Sequence, residues 1–119
     1  MCYAVGPVAG NDVWPKNRAG GIVFCINVLL TVKDEHTAAI DDIRRLLAEA
    51  CRLSREEPGC LRFEVYHSES DPKVFLLCER WQSEQVWKDH REEKAFREIY
   101  QPQVMPRVER VPHVSTLVE

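Results

Sequence analysis

Residues 57–81 read EPGCLRFEVYHSESDPKVFLLCERW, and how they parse decides the fold. Pro58-Gly59 turns the chain. Residues 61–67 then alternate, with Leu61, Phe63 and Val65 on one side and Arg62, Glu64 and Tyr66 on the other, the period of a half-buried strand. The polar run 68–73, with Asp71-Pro72, makes a hairpin loop, and VFLLCERW at 74–81 forms a second, more central strand. Upstream, Ala39, Ile40, Ile43, Leu46, Leu47, Ala50 and Leu53 recur at helical spacing opposite Asp41, Asp42, Arg44, Arg45 and Glu49. Asp34 or Thr37 stands where it could cap that helix. Before it, residues 22–32 (IVFCINVLLTV) are β-branched and apolar on both faces, which suits a central strand. Downstream, Ser83 can cap a short helix carrying Val86, Trp87 and His90. After a break, Ala95, Phe96, Ile99 and Tyr100 continue helically. Residues 108–118 alternate again, with Pro112 favouring a sheet edge or bulge.

The order β-α-β-β-α-β predicts an α+β, ferredoxin-like domain: a four-stranded antiparallel sheet with helices on one face. The first and third strands are apolar on both faces, so the open face of the sheet is expected to be covered. A second copy is the simplest cover, which makes a homodimer and a dimeric α+β barrel.

Residues 1–21 are punctuated by Gly6, Pro7, Gly10, Pro15 and Gly20 and read as an N-terminal extended arm ahead of a domain at 22–119. The 119 residues have room for one domain. Lys plus Arg number 16 against 19 Asp plus Glu, a net charge of −3 with no basic run, so no nucleic-acid partner is expected. The longest apolar stretch, 22–32, is half the length that crosses a bilayer, and the start lacks a secretory pattern, so no membrane partner is expected either. Five cysteines, an odd number without a CxxC, argue against a disulfide framework or structural zinc. Reduced thiols in a cytoplasmic protein are the expectation.

Strand parity locates a candidate site. Val23, Cys25, Asn27 and Leu29 share one face of the first strand, and Phe75, Leu77, Glu79 and Trp81 share one face of the third. With helices over both, Asn27 and Trp81 are expected to look into one hollow beneath Trp87, His90, Phe96 and Tyr100. An apolar cavity with a few convergent polar groups is the usual small-molecule site.

The run Glu57-Pro58-Gly59-Cys60-Leu61-Arg62-Phe63-Glu64-Val65 resembles the turn and strand of antibiotic biosynthesis monooxygenase domains, and Glu79-Arg80-Trp81-Gln82-Ser83 resembles their E-x-W-x-S/D strand end. His90 and Phe96 fall where such domains carry an H…F pair. The resemblance covers residues 22–118. It implies a dimeric α+β barrel, planar aromatic or quinol-like substrates, and oxygenation with no cofactor: no metal, haem or flavin. Deprotonating a phenol, anthrone or hydroquinone makes an anion that can itself reduce O₂, so the protein need only bind the ring, take a proton and orient the oxygens. In that reading His90 accepts the proton, since imidazole changes charge near neutral pH. Asn27 and the Trp81 indole N–H would bind a ligand oxygen. Phe75, Trp87 and Phe96 would wall the ring, and Tyr66 and Tyr100 would relay protons. His90 could instead cap a carbonyl or pair with Glu64 or Glu79, and Glu79 could fix a turn or pair with an arginine. Haem-degrading relatives carry an axial His four residues beyond the Phe, where this chain has Tyr100. The expectation is a cofactor-independent monooxygenase of a small quinol or polycyclic phenol. The alternatives are an isomerase or decyclase of a small carbonyl metabolite, and a non-catalytic dimeric binding module.

Overall fold

The computed structural model describes residues 23–118; the predicted arm at 1–21 lies outside the described residues. Strand β1 (Phe24–Val32) leads through a 3₁₀ segment (Asp34–Ala39) into helix α1 (Ile40–Arg55). Strands β2 (Cys60–His67) and β3 (Val74–Trp81) follow, then a short helix α2 (Glu84–His90), a π-helical segment (Ala95–Val104) and strand β4 (Val108–Ser115). The sheet order is β2-β3-β1-β4 with every neighbouring pair antiparallel, the ferredoxin-like topology expected from the sequence.

The core lies between the sheet and the helical layer. Ile43, Leu46, Leu47 and Ala50 of α1 are buried against Ile26, Val28, Leu30 and Val32 of β1 and Phe75, Leu77 and Trp81 of β3. These side chains leave water almost completely, and burial of each Val, Leu, Ile or Phe among them contributes roughly 1.5–3 kcal/mol. Ser83 caps α2 as expected, its hydroxyl accepting from Val86 N at 3.1 Å. The cap expected at Asp34 or Thr37 does not form. Ala39 precedes α1 with no side-chain cap, and the Thr37 hydroxyl instead donates to the Asp34 carbonyl within the 3₁₀ segment.

The parity expected for β1 is reversed. Phe24 pairs with Trp81, Ile26 with Glu79 and Val28 with Leu77, so the even-numbered residues face the helices. Asn27 pairs with Cys78 and His113 on the open face, where it is exposed and donates to the Ser115 hydroxyl at 3.2 Å. The reason is the pleat: a shift of one residue sends every side chain to the opposite face. Tyr66 likewise lies on the open face, opposite Leu76, and its hydroxyl donates to Glu64.

Pro102 shapes the π-helical segment. It has no N–H to donate within the segment, and next to it the Gln103 side chain donates to the Glu98 carbonyl at 2.9 Å. The closing bond runs from Met105 N to Tyr100 O, five residues back. Ala95, Ile99, Tyr100 and Val104 still turn inward and are buried.

Candidate active site

A cavity of about 200 Å³ lies between the sheet and the helices. Phe63, Leu77, Glu79 and Arg110 rise from the strands, Leu47, Ala50 and Ser54 descend from α1, and Trp87, His90, Phe96 and Tyr100 close the remaining side. A cavity of about 150 Å³ accommodates benzene. This one therefore suits one ring or two fused rings.

His90 lies at the cavity wall in a polar pair. The ring is 7% exposed and its Nδ1 lies 2.6 Å from Glu57 Oε1, both side chains being nearly excluded from water. Trp81, Phe96 and Phe63 surround the imidazole at centroid distances of 4.6, 5.9 and 6.1 Å. A carboxylate on one ring nitrogen fixes the tautomer and stabilises the imidazolium that forms when the other nitrogen takes a proton. The sequence offered Glu64 or Glu79 as partner; the partner is Glu57. Its position follows from the turn after α1, where Cys60 N donates to the Glu57 carbonyl and Gln82 N to the Gly59 carbonyl. Gly59 has φ +86°, a backbone conformation that residues other than glycine rarely adopt.

Glu79 and Trp81 are bonded to each other. The indole Nε1 donates to Glu79 Oε1 at 3.0 Å, and Trp81 is fully buried behind His90 instead of on the cavity wall. Its expected role as a donor to a ligand oxygen is thus replaced by one of support. Burial pushes the Glu79 carboxyl above the ordinary range, a rise partly offset by the Trp81 N–H and the nearby His90 and Arg110. Because the folded state holds this proton more tightly, stability falls as pH rises from the ordinary carboxylate range through the raised pKa. Glu79→Gln keeps the acceptor for Trp81 and removes the ionisation. The variant should melt close to the parent at pH 4 and ~2–6 °C higher at pH 8; parallel melting curves at both pH values check this.

The other expected residues divide. Trp87 lines the cavity where it meets the surface, stacked on Phe24 at 5.0 Å and carrying the Arg91 guanidinium at 4.3 Å. Phe96 and Tyr100 line it together, and the Tyr100 hydroxyl accepts from Arg110 Nε at 3.0 Å. Burial raises the Tyr100 pKa and so favours the neutral phenol. Phe75 faces the helices but not the cavity. It is fully buried near the far end of β3, stacked on His67 at 4.0 Å. Four residues along a strand separate it from Glu79, about 13 Å. Asn27 and Tyr66, on the open face, are not brought to this cavity. Glu57, Ser54 and Arg110 are site residues that reading the sequence missed. Among the described residues, no three His, Cys, Asp or Glu side chains converge as a metal site requires. Cys60 lies close by, but burial and Glu57 push its thiol up to about 12, so it is not a nucleophile at neutral pH.

The fold is that of a ferredoxin-like α+β domain with a partly open cavity between its sheet and its helices. The family model of the antibiotic biosynthesis monooxygenases matches residues 23–102, and the chain belongs to that family. Among solved structures it is similar to an antibiotic biosynthesis monooxygenase (TM-score 0.71, 21% identity, 81% of this chain and 99% of that one). It is also similar to a conserved protein of unknown function and possible oxidoreductase from Bacteroides thetaiotaomicron (TM-score 0.70, 21% identity, 79% and 96%). A third similar structure is Rv0793 from Mycobacterium tuberculosis (TM-score 0.63, 21% identity, 78% and 94%). No curated protein matches. At these identities the structural likeness speaks for the fold.

Proposed function

We propose that the protein is a cofactor-independent monooxygenase that oxidises a small quinol or bicyclic phenol with O₂. The observation that carries this reading is the Glu57–His90 pair, set among aromatic rings at the wall of a cavity sized for one or two rings. With Nδ1 engaged by Glu57, the other ring nitrogen is left to take a proton from a bound hydroxyl. The resulting anion is electron-rich enough to pass electrons to O₂. For 1,4-dihydroxynaphthalene, one oxygen atom enters a ring carbon to give a hydroxynaphthoquinone, and the other leaves as water with two substrate hydrogens. Substrate and O₂ balance this reaction without a further reductant. The volume favours the small quinol over the larger polycyclic phenols.

An oxygen electrode tests the proposal. The protein should accelerate O₂ uptake by 1,4-dihydroxynaphthalene well above its autoxidation. Binding without acceleration would favour a non-catalytic module, and conversion without O₂ uptake would favour an isomerase or decyclase.

The open sheet face supports the homodimer. Tyr66, Leu76, Leu29 and Val111 stand in register across all four strands, every one of them exposed. Such an apolar row is usually covered in a soluble protein. Sedimentation should show a dimer, and Leu29→Arg should shift it to the monomer mass; a monomeric parent at tens of micromolar would contradict this. The cytoplasm is the proposed location, since the free thiols of Cys25, Cys51 and Cys60 suit a reducing compartment. No helix among the described residues is long and apolar enough to cross a membrane.

A further inference from the structure

Ser54 is the one cavity-lining residue whose presence folding does not explain. It sits in the last turn of α1, is 0% exposed, and its hydroxyl has no hydrogen-bond partner among the described residues. A buried helical serine usually donates back to the carbonyl four residues earlier, and this one does not. An orphaned buried hydroxyl is a standing penalty, and alanine would serve the helix better. The other α1 residues on the cavity wall, Leu47 and Ala50, are apolar, so Ser54 is the only hydroxyl-bearing residue that this helix places at the cavity. It also stands beside the catalytic pair in the chain: Glu57 N donates to the Ser54 carbonyl at 3.1 Å.

We infer that Ser54 is the substrate-orienting residue, binding a second oxygen of the ring while the first is presented to His90. This rests on the reading of the cavity as an aromatic-ligand site and narrows it to substrates with two ring oxygens. A monophenol leaves the Ser54 hydroxyl unpaired, whereas a dihydroxyarene satisfies it. A site built to bond a substrate hydroxyl discriminates against the analogue that lacks it.

Anaerobic titration of two probes, 1,4-dihydroxynaphthalene and 1-naphthol, followed by quenching of tryptophan fluorescence, tests this. The parent protein should bind the diol ~5–30-fold more tightly than the mono-ol. Ser54→Ala should reduce that preference to about twofold or less while melting at the parent's temperature or above it, because the orphan is gone. A preference that survives in Ser54→Ala, or that is absent from the parent, overturns the inference and leaves the aromatic-site reading standing. A clear fall in melting temperature also overturns it, since it would make Ser54 a structural residue. Failure of both probes to bind the parent removes the aromatic-site reading itself, and this inference with it.

Discussion

His90→Ala is expected to lower kcat for quinol oxygenation by ~10²–10⁴, the usual worth of a positioned general base. The prediction follows from three facts. The ring is buried, it lines the cavity together with Trp87, Phe96 and Tyr100, and its Nδ1 is already bound to Glu57. Alanine removes the proton acceptor and leaves the Glu57 carboxylate buried without its partner, so some loss of stability accompanies the loss of rate. Glu57→Gln separates the two effects. It keeps the shape and one hydrogen bond to Nδ1 but not the charge that stabilises the imidazolium, so kcat should fall by about 10² with little change in KM. Combining the two substitutions should cost little more than His90→Ala alone, because residues acting as a unit are non-additive. Steady-state kinetics on folded variants, with circular dichroism as a control, decide the matter. A His90→Ala protein that folds and retains parental kcat would remove the imidazole from the mechanism.

Gly59→Ala is expected to destabilise the domain strongly for a change of one methyl group. At φ +86° any Cβ is strained, by roughly 1–2 kcal/mol. The added methyl would also lie 2.5 Å from Val86 Cγ1 on α2, and a branched valine cannot swing aside. That overlap adds about 1–3 kcal/mol. A total of ~2–5 kcal/mol corresponds to a fall in Tm of ~6–25 °C for a domain of this size. Activity should fall further than stability alone explains, since α2 carries His90 and the turn carries Glu57. Val86→Ala should relieve the overlap but not the backbone strain, so the double variant should lose less than the sum of the singles. Additive losses would show that the contact with α2 is unimportant.

The topology was legible because each element announces itself locally. The alternation at 61–67, the helical spacing from Ile40 to Leu53 and the Ser83 cap are all short-range signals, and the observed elements match them. The face of β1 was not legible in the same way. With both faces apolar, period-two counting fixes which residues go together but not which set meets the helices. One weak signal was present: Ile26, Val28, Leu30 and Val32 are uniformly aliphatic, while the alternate set contains Asn27 and Thr31. The site was only half legible for a related reason. His90, Phe96, Trp87, Tyr100 and Glu79 do converge on the cavity, but the bond that organises them spans 33 residues between Glu57 and His90. The Trp81 indole was redirected by a local bond, to Glu79 two residues back along the same strand face, which period-two counting does not reveal. The π-helical spacing was hidden because its residues also fit an ordinary helix until the proline is reached.

The most direct test of the Glu57–His90 cavity as an oxygenase site is the fate of labelled O₂. With 1,4-dihydroxynaphthalene under ¹⁸O₂, mass spectrometry should find a hydroxynaphthoquinone carrying one ¹⁸O atom, in an amount that tracks the protein and collapses in His90→Ala. Unlabelled 1,4-naphthoquinone, formed no faster than in buffer alone, would contradict it.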